Sequence, residues 1–117
     1  MNVDFNVVDN YGCTPLHDAC YWAQLEVVKY FFSISKEKGI KLDAIDNNER
    51  SPLHDACESG NYEVVKLFFN NCIDMKINIF SGWKRAKATA RRRGNKEIIK
   101  LFSVKNYLRL RFKASLK

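Results

Sequence analysis

Proline and glycine are scarce, two and five in 117 residues, which excludes a collagen-like or low-complexity chain. A hydrophobic content of 46% excludes a disordered one, and the length suits one domain with a real core. Long apolar runs are missing: Lys29, Lys66 and Lys100 interrupt the best candidates, so no membrane span is expected. The N-terminus lacks a basic segment followed by an apolar core, so no secretory signal is visible. An intracellular location, cytoplasmic, nuclear or both, is expected. The four cysteines at 13, 20, 57 and 72 show no close paired spacing, which argues against zinc. Cys20 and Cys57 read as small core residues, and Cys13 as a plain exposed thiol in preference to a reactive one. Phosphate-cradling glycine loops, nucleophile elbows and metalloprotease motifs are all absent. Neither a cofactor nor a metal is expected, and the chain does not read as an enzyme.

What is present is repetition. Residues 14–20 read Thr-Pro-Leu-His-Asp-Ala-Cys, and residues 51–57 read Ser-Pro-Leu-His-Asp-Ala-Cys. The run Leu25-Glu26-Val27-Val28-Lys29-Tyr30-Phe31-Phe32 returns as Tyr62-Glu63-Val64-Val65-Lys66-Leu67-Phe68-Phe69. A weaker third copy, Gly94 to Phe102, matches Gly60 to Phe68; successive offsets are 37 and 34 residues. Thr14 and Ser51 are favourable helix N-caps, and Pro15 and Pro52 follow where no backbone donor is lost. Asn61 and Asn95 cap a second helix in their repeats. Apolar residues at helical spacing then form a stripe that no helix buries alone, so copies must pack side by side. Helices are expected near 14–21, 24–35, 51–58, 61–70, 85–92 and 95–104. The lysine-rich stretch 33–41 reads as a longer second helix or a loop.

This repeat resembles the ankyrin repeat, a turn plus two helices about 33 residues long. The resemblance covers residues 4–103. It implies an all-α solenoid of three stacked helix pairs with short β-hairpin fingers at Asp9–Gly12 and Asp46–Glu49. Repeats would span about 9–45, 46–79 and 80–103, preceded by a partial repeat strand over 1–8. His17 and His54 would hydrogen-bond to the Thr or Ser at the helix start and to neighbouring backbone, since repetition of the whole motif argues against catalysis. Members usually bind partners through finger tips and the concave face of the first helices. Carried over by position, that surface comprises Tyr11, Tyr21 and Trp22, then Arg50 and Glu58, then Lys84, Arg92 and Arg93. The third repeat has Arg85-Ala86-Lys87-Ala88 where the others have the Pro-Leu-His motif, which fits a polar C-terminal cap.

Acidic residues are nearly missing from the last third. Residues 83–117 carry thirteen Lys or Arg and one acid, Glu97, against seven bases and twelve acids in residues 1–82. This split reads either as an electrostatic contribution to partner choice or as a solvated cap. The tail 104–117 reads as a basic capping helix. Val104, Leu108, Phe112 and Leu116 form one stripe, with Lys105, Arg109, Lys113 and Lys117 as a second. The leading expectation is a protein-interaction scaffold or adaptor whose partner has an apolar anchor and an acidic segment. The alternative is nucleic-acid or anionic-lipid binding through 84–117, with stacking on Trp83, Tyr107 and Phe112. A third reading takes the chain as part of a longer array.

Overall fold

The computed structural model describes residues 3–116. These fold into α1 (Pro15–Tyr21), α2 (Leu25–Lys38), α3 (Pro52–Ser59), α4 (Tyr62–Asn71), α5 (Trp83–Arg93), α6 (Lys96–Leu101) and α7 (Val104–Ser115). Capping decides where most of them begin. The Thr14 and Ser51 hydroxyls accept from the His17 and His54 amides, and a proline opens each helix. The Asn61 and Asn95 side chains accept from the Val64 and Ile98 amides at 3.2 and 3.0 Å. The extra residues after Ser33 continue α2 to Lys38, and left-handed Gly39 ends it.

Helices α1, α3 and α5 stack in one layer, and α2, α4 and α6 in a second. Small buried side chains, Ala19 and Cys20 in α1 and Ala56 and Cys57 in α3, let the first layer approach closely. The second layer is larger. Val28, Val64, Val65, Phe68, Ile98 and Phe102 are buried there, each apolar side chain contributing about 1.5–3 kcal/mol of transfer free energy. Phe32 packs edge-on against Phe68, and Phe69 against Phe102, with ring centroids 5.0 Å apart in both pairs. No helix among the described residues is long and apolar enough to cross a membrane.

Four expectations need correction. The finger positions hold tight turns, and no strand occurs among the described residues. Each turn closes on itself through two backbone bonds, all 3.0 Å: Asp9 N–H to Cys13 and Gly12 N–H to Asp9 in the first, Asp46 N–H to Arg50 and Glu49 N–H to Asp46 in the second. Residues 3–8 are irregular around a turn at Phe5 and Asn6, with no strand; Met1 and Asn2 lie outside the described residues. Side chains hold this segment: Phe5 packs edge-on against Phe31, and the Asn6 amide brackets Gly39 and Lys41. The expected helix 95–104 breaks at Phe102, because the Ser103 hydroxyl accepts from the Asn106 amide and starts α7. Finally, α7 does not turn its Val104–Leu108–Phe112–Leu116 stripe inward. Leu110 is its buried residue, with Tyr107 packed on the core beside it, while the four stripe residues are 61–70% exposed.

The repeat also exposes one strained position. Gly60 and Gly94 take left-handed φ values of 74° and 70° between the two helices of their repeats, and Ala23 holds φ 54° at the equivalent place. A Cβ in that region costs about 1–2 kcal/mol, offset in part by the extra unfolded-state entropy of glycine. Ala23→Gly is expected to raise stability by about 0.5–1 kcal/mol. Urea unfolding checks it: the midpoint should rise at constant slope, and a lowered midpoint would contradict the strain.

Candidate partner-binding surface

The turns between repeats are built around two aspartates. Asp9 Oδ1 accepts from the amides of Tyr11 and Cys13, both at 2.9 Å, and Asp46 Oδ1 accepts from Asn48 and Arg50 at 2.8 and 2.9 Å. The two turns then lock together. The Asn47 amide donates to the Tyr11 carbonyl at 2.9 Å, so the tips advance from repeat to repeat in register. Gly12 permits this approach: it sits at φ 79°, and a Cβ there would lie 2.6 Å from Asn47 Oδ1 and 3.0 Å from its backbone nitrogen. Arg85 reaches back from α5 to donate to the Asn48 carbonyl, with Glu49 3.9 Å away. Tyr11, Arg50 and Lys84 are exposed on this edge.

His17 sits behind the turns and joins two repeats. The Arg50 carbonyl only accepts, so the proton lies on Nε2, which donates to it at 2.9 Å. Nδ1 then accepts from the Thr14 amide at 3.0 Å. This matches the role expected for the repeated histidine. His54 departs from it. Lys84, equivalent to Arg50, lies inside α5, so its carbonyl belongs to the helix ladder. The His54 ring instead pairs Nε2 with Thr89 Oγ1 at 2.9 Å. Its Nδ1 is buried without a hydrogen-bond partner, and Asp55 Oδ1 is 4.0 Å away.

Three equivalent helix ends carry most of the remaining expected residues. At the end of α1, Tyr21 and Trp22 are 45% and 70% exposed and meet edge-on at 5.1 Å. At the end of α3 stands Glu58, and at the end of α5 stand Arg92 and Arg93. These last three are brought together: Arg92 and Arg93 each donate to Glu58, at 2.8 and 2.7 Å. Burial alone would raise the Glu58 carboxyl, but hydrogen bonds from Arg93 and Arg92 and their charges outweigh it and hold it below its ordinary value. The clamp is therefore intact above the usual carboxylate range and fails as pH falls through that lowered value. The row of equivalent helix ends thus has an exposed aromatic end and an internally paired end. Nothing ties Tyr11 or Lys84 to either group.

Cys13 is not the plain exposed thiol that its position suggested. It is half-buried and donates to Asp46 Oδ2 at 3.6 Å. Burial, then the Asp9 and Asp46 charges, push its pKa up to about 12. Burial also raises Cys20, Cys57 and Cys72. Every thiol should therefore resist a disulfide reagent at pH 8 in the folded protein, since the thiolate fraction of Cys13 falls by about three orders of magnitude. One cysteine reacting at the rate of free thiol would contradict this. Among the described residues no three His, Cys, Asp or Glu side chains converge as a metal would require.

Two features escaped the sequence. A groove of about 610 Å³ opens between the start of α5 and α7, floored by Phe80, Trp83, Phe102 and Tyr107 and rimmed by Lys84, Arg85 and Lys87. The only sequence signal was the run of cations, because the floor comes from four separate segments. The other is the Glu58 clamp, whose members occupy equivalent positions in adjacent repeats. The expected base-stacking platform is not formed either. Trp83 is 7% exposed within the core and Tyr107 packs edge-on against it, whereas Phe112 is 66% exposed on another side of α7, so the three rings form no common platform.

The family model for ankyrin repeats, in three copies, matches residues 1–81. That span ends just before α5, yet α5 and α6 stack on α3 and α4 as those stack on α1 and α2. No curated protein matches the chain significantly. Ankyrin repeats generally serve protein–protein interaction, as binding scaffolds and not as enzymes. The repeated caps, the two helix layers and the matched span agree: this chain belongs to the ankyrin-repeat family.

Proposed function

We propose that the chain is a protein-interaction scaffold that seizes its partner at the Tyr21–Trp22 pair and along the exposed turn edge. The exposed pair itself carries the reading. A tryptophan 70% exposed and braced edge-on by a tyrosine costs little further order on binding, and such residues dominate interface energetics. Tyr11, Arg50 and Lys84 extend the contact along the turns. An acidic segment of the partner would lie toward Lys84, Arg92 and Arg93. Glu58 engages one nitrogen of each arginine, and their side chains remain 61% and 48% exposed. Further guanidinium donors are thus free for a carboxylate.

The test is a pull-down from source-cell lysate followed by titration of the captured protein. Trp22→Ala is expected to weaken binding by about tenfold or more, with unchanged stability. Arg92→Ala should weaken the same partner less, and charge reversal in the basic region should act mainly on the association rate and its salt dependence. A nucleic-acid role predicts the opposite pattern. Affinity for an RNA oligomer would then fall steeply with salt and ignore Trp22, and that outcome would defeat the proposal.

A further inference from the structure

We infer that α7 is a peripheral membrane-contact helix, which lays Val104, Leu108, Phe112 and Leu116 against an anionic bilayer surface. This goes beyond the protein-binding reading, uses α7 residues that reading leaves out, and does not depend on it. The helix is held by its opposite side: Leu110 is buried, Tyr107 packs against Phe80 and Trp83, and Arg111 lies over the Phe80 ring at 4.7 Å. That docking leaves four large apolar side chains in one row, each 61–70% exposed, three on the 12-residue helix and Leu116 at its C-cap. A contiguous row of this kind marks an interaction site.

Charge selects the occupant. Lys105, Arg109 and Lys113 are exposed along the stripe, and residues 98–116 contain no acid. Lys117 lies outside the described residues. A zwitterionic or cationic surface gains nothing from that edge, whereas an anionic one gains about 1 kcal/mol per cation. Two observations favour lipid over a folded partner. The stripe carries no polar group that would set register, since the one hydroxyl beside it, Ser115, already donates to the Phe112 carbonyl at 2.7 Å. The apolar row with lysines at its margin also matches a helix lying in the interface plane, with lysine stems snorkelling to the headgroups.

Sedimentation of the full chain with phosphatidylcholine vesicles, with and without about a third phosphatidylserine, tests the inference. The protein should pellet with the anionic vesicles and remain in solution with the neutral ones. The double variant Leu108→Ser, Phe112→Ser changes only exposed side chains, so its circular dichroism should match wild type. Its partitioning should drop roughly tenfold or more. Lys105→Gln with Lys113→Gln should also lower partitioning and flatten its salt dependence. Absence of anionic binding, equal binding to both vesicles, or binding indifferent to the serine variant would overturn the inference. So would a dimer in vesicle-free buffer that the serine variant dissociates, because a second copy would then occupy the stripe.

Discussion

Replacing His17 by alanine is expected to lower stability by about 2–4 kcal/mol, more than the same change at His54. His17 is 1% exposed and ties its own helix cap to the next repeat. Its loss leaves the buried Thr14 amide without an acceptor and opens a cavity between α1 and the second turn. The Arg50 carbonyl lies nearer solvent and can be rehydrated, so most of the penalty arises at Thr14. His54→Ala removes one bond to Thr89 and, with it, a buried nitrogen that had no partner. About 1–2 kcal/mol is expected there. Urea unfolding of both variants decides the matter. Equal midpoints, or a larger loss at His54, would contradict the tautomer and the bonding assigned to His17.

That contrast shows where a repeat can be read from sequence and where it cannot. The caps at Thr14, Ser51, Asn61 and Asn95 are local, so the four helices they start begin within about a residue of the expected positions. Each failure lies where the answer depends on a neighbour. His54 copies His17 in sequence, yet its acceptor disappears because α5 starts at Trp83 and absorbs Lys84. Burial first, and then Asp9 in its own turn, raise the Cys13 pKa, while Asp46 of the next repeat adds its charge and a hydrogen bond that the sequence does not announce. For α7, helical period gives two faces, and the receiving surface chooses between them. The aromatic floor of Phe80 and Trp83 takes Tyr107 and even an arginine, Arg111, in preference to the more apolar stripe. Within the candidate surface, Trp22 and Tyr21 are exposed and touch each other, whereas Arg92 and Arg93 are held by Glu58. Position in the repeat predicted their place, and only side-chain reach across 34 and 35 residues revealed the pairing.

Trp83→Ala is expected to cost about 3–5 kcal/mol, the largest effect of any single truncation considered, and to act on one end of the molecule. The indole is the centre of an aromatic cluster, with centroids 5.6 Å from Phe69, 6.3 Å from Phe80, and 5.0 Å from both Phe102 and Tyr107. Those rings belong to α4, the turn before α5, the end of α6 and α7, so one deletion loosens four segments together. α7 should respond first, because Tyr107 is one of its two main anchors and rests directly on the indole. In a stack whose repeats touch only their neighbours, the first two repeats should persist while the third frays. Hydrogen exchange measures this: amides of residues 104–115 should lose protection at urea concentrations that leave α1 to α4 intact. Trp22→Ala is the control, because a side chain 70% exposed should change stability by no more than about 0.5 kcal/mol. If α7 kept wild-type protection in the Trp83 variant, its attachment would rest on Leu110 and not on the aromatic floor. The same variant would then also retain the exposed stripe, so vesicle binding should survive wherever α7 does and vanish where it frays.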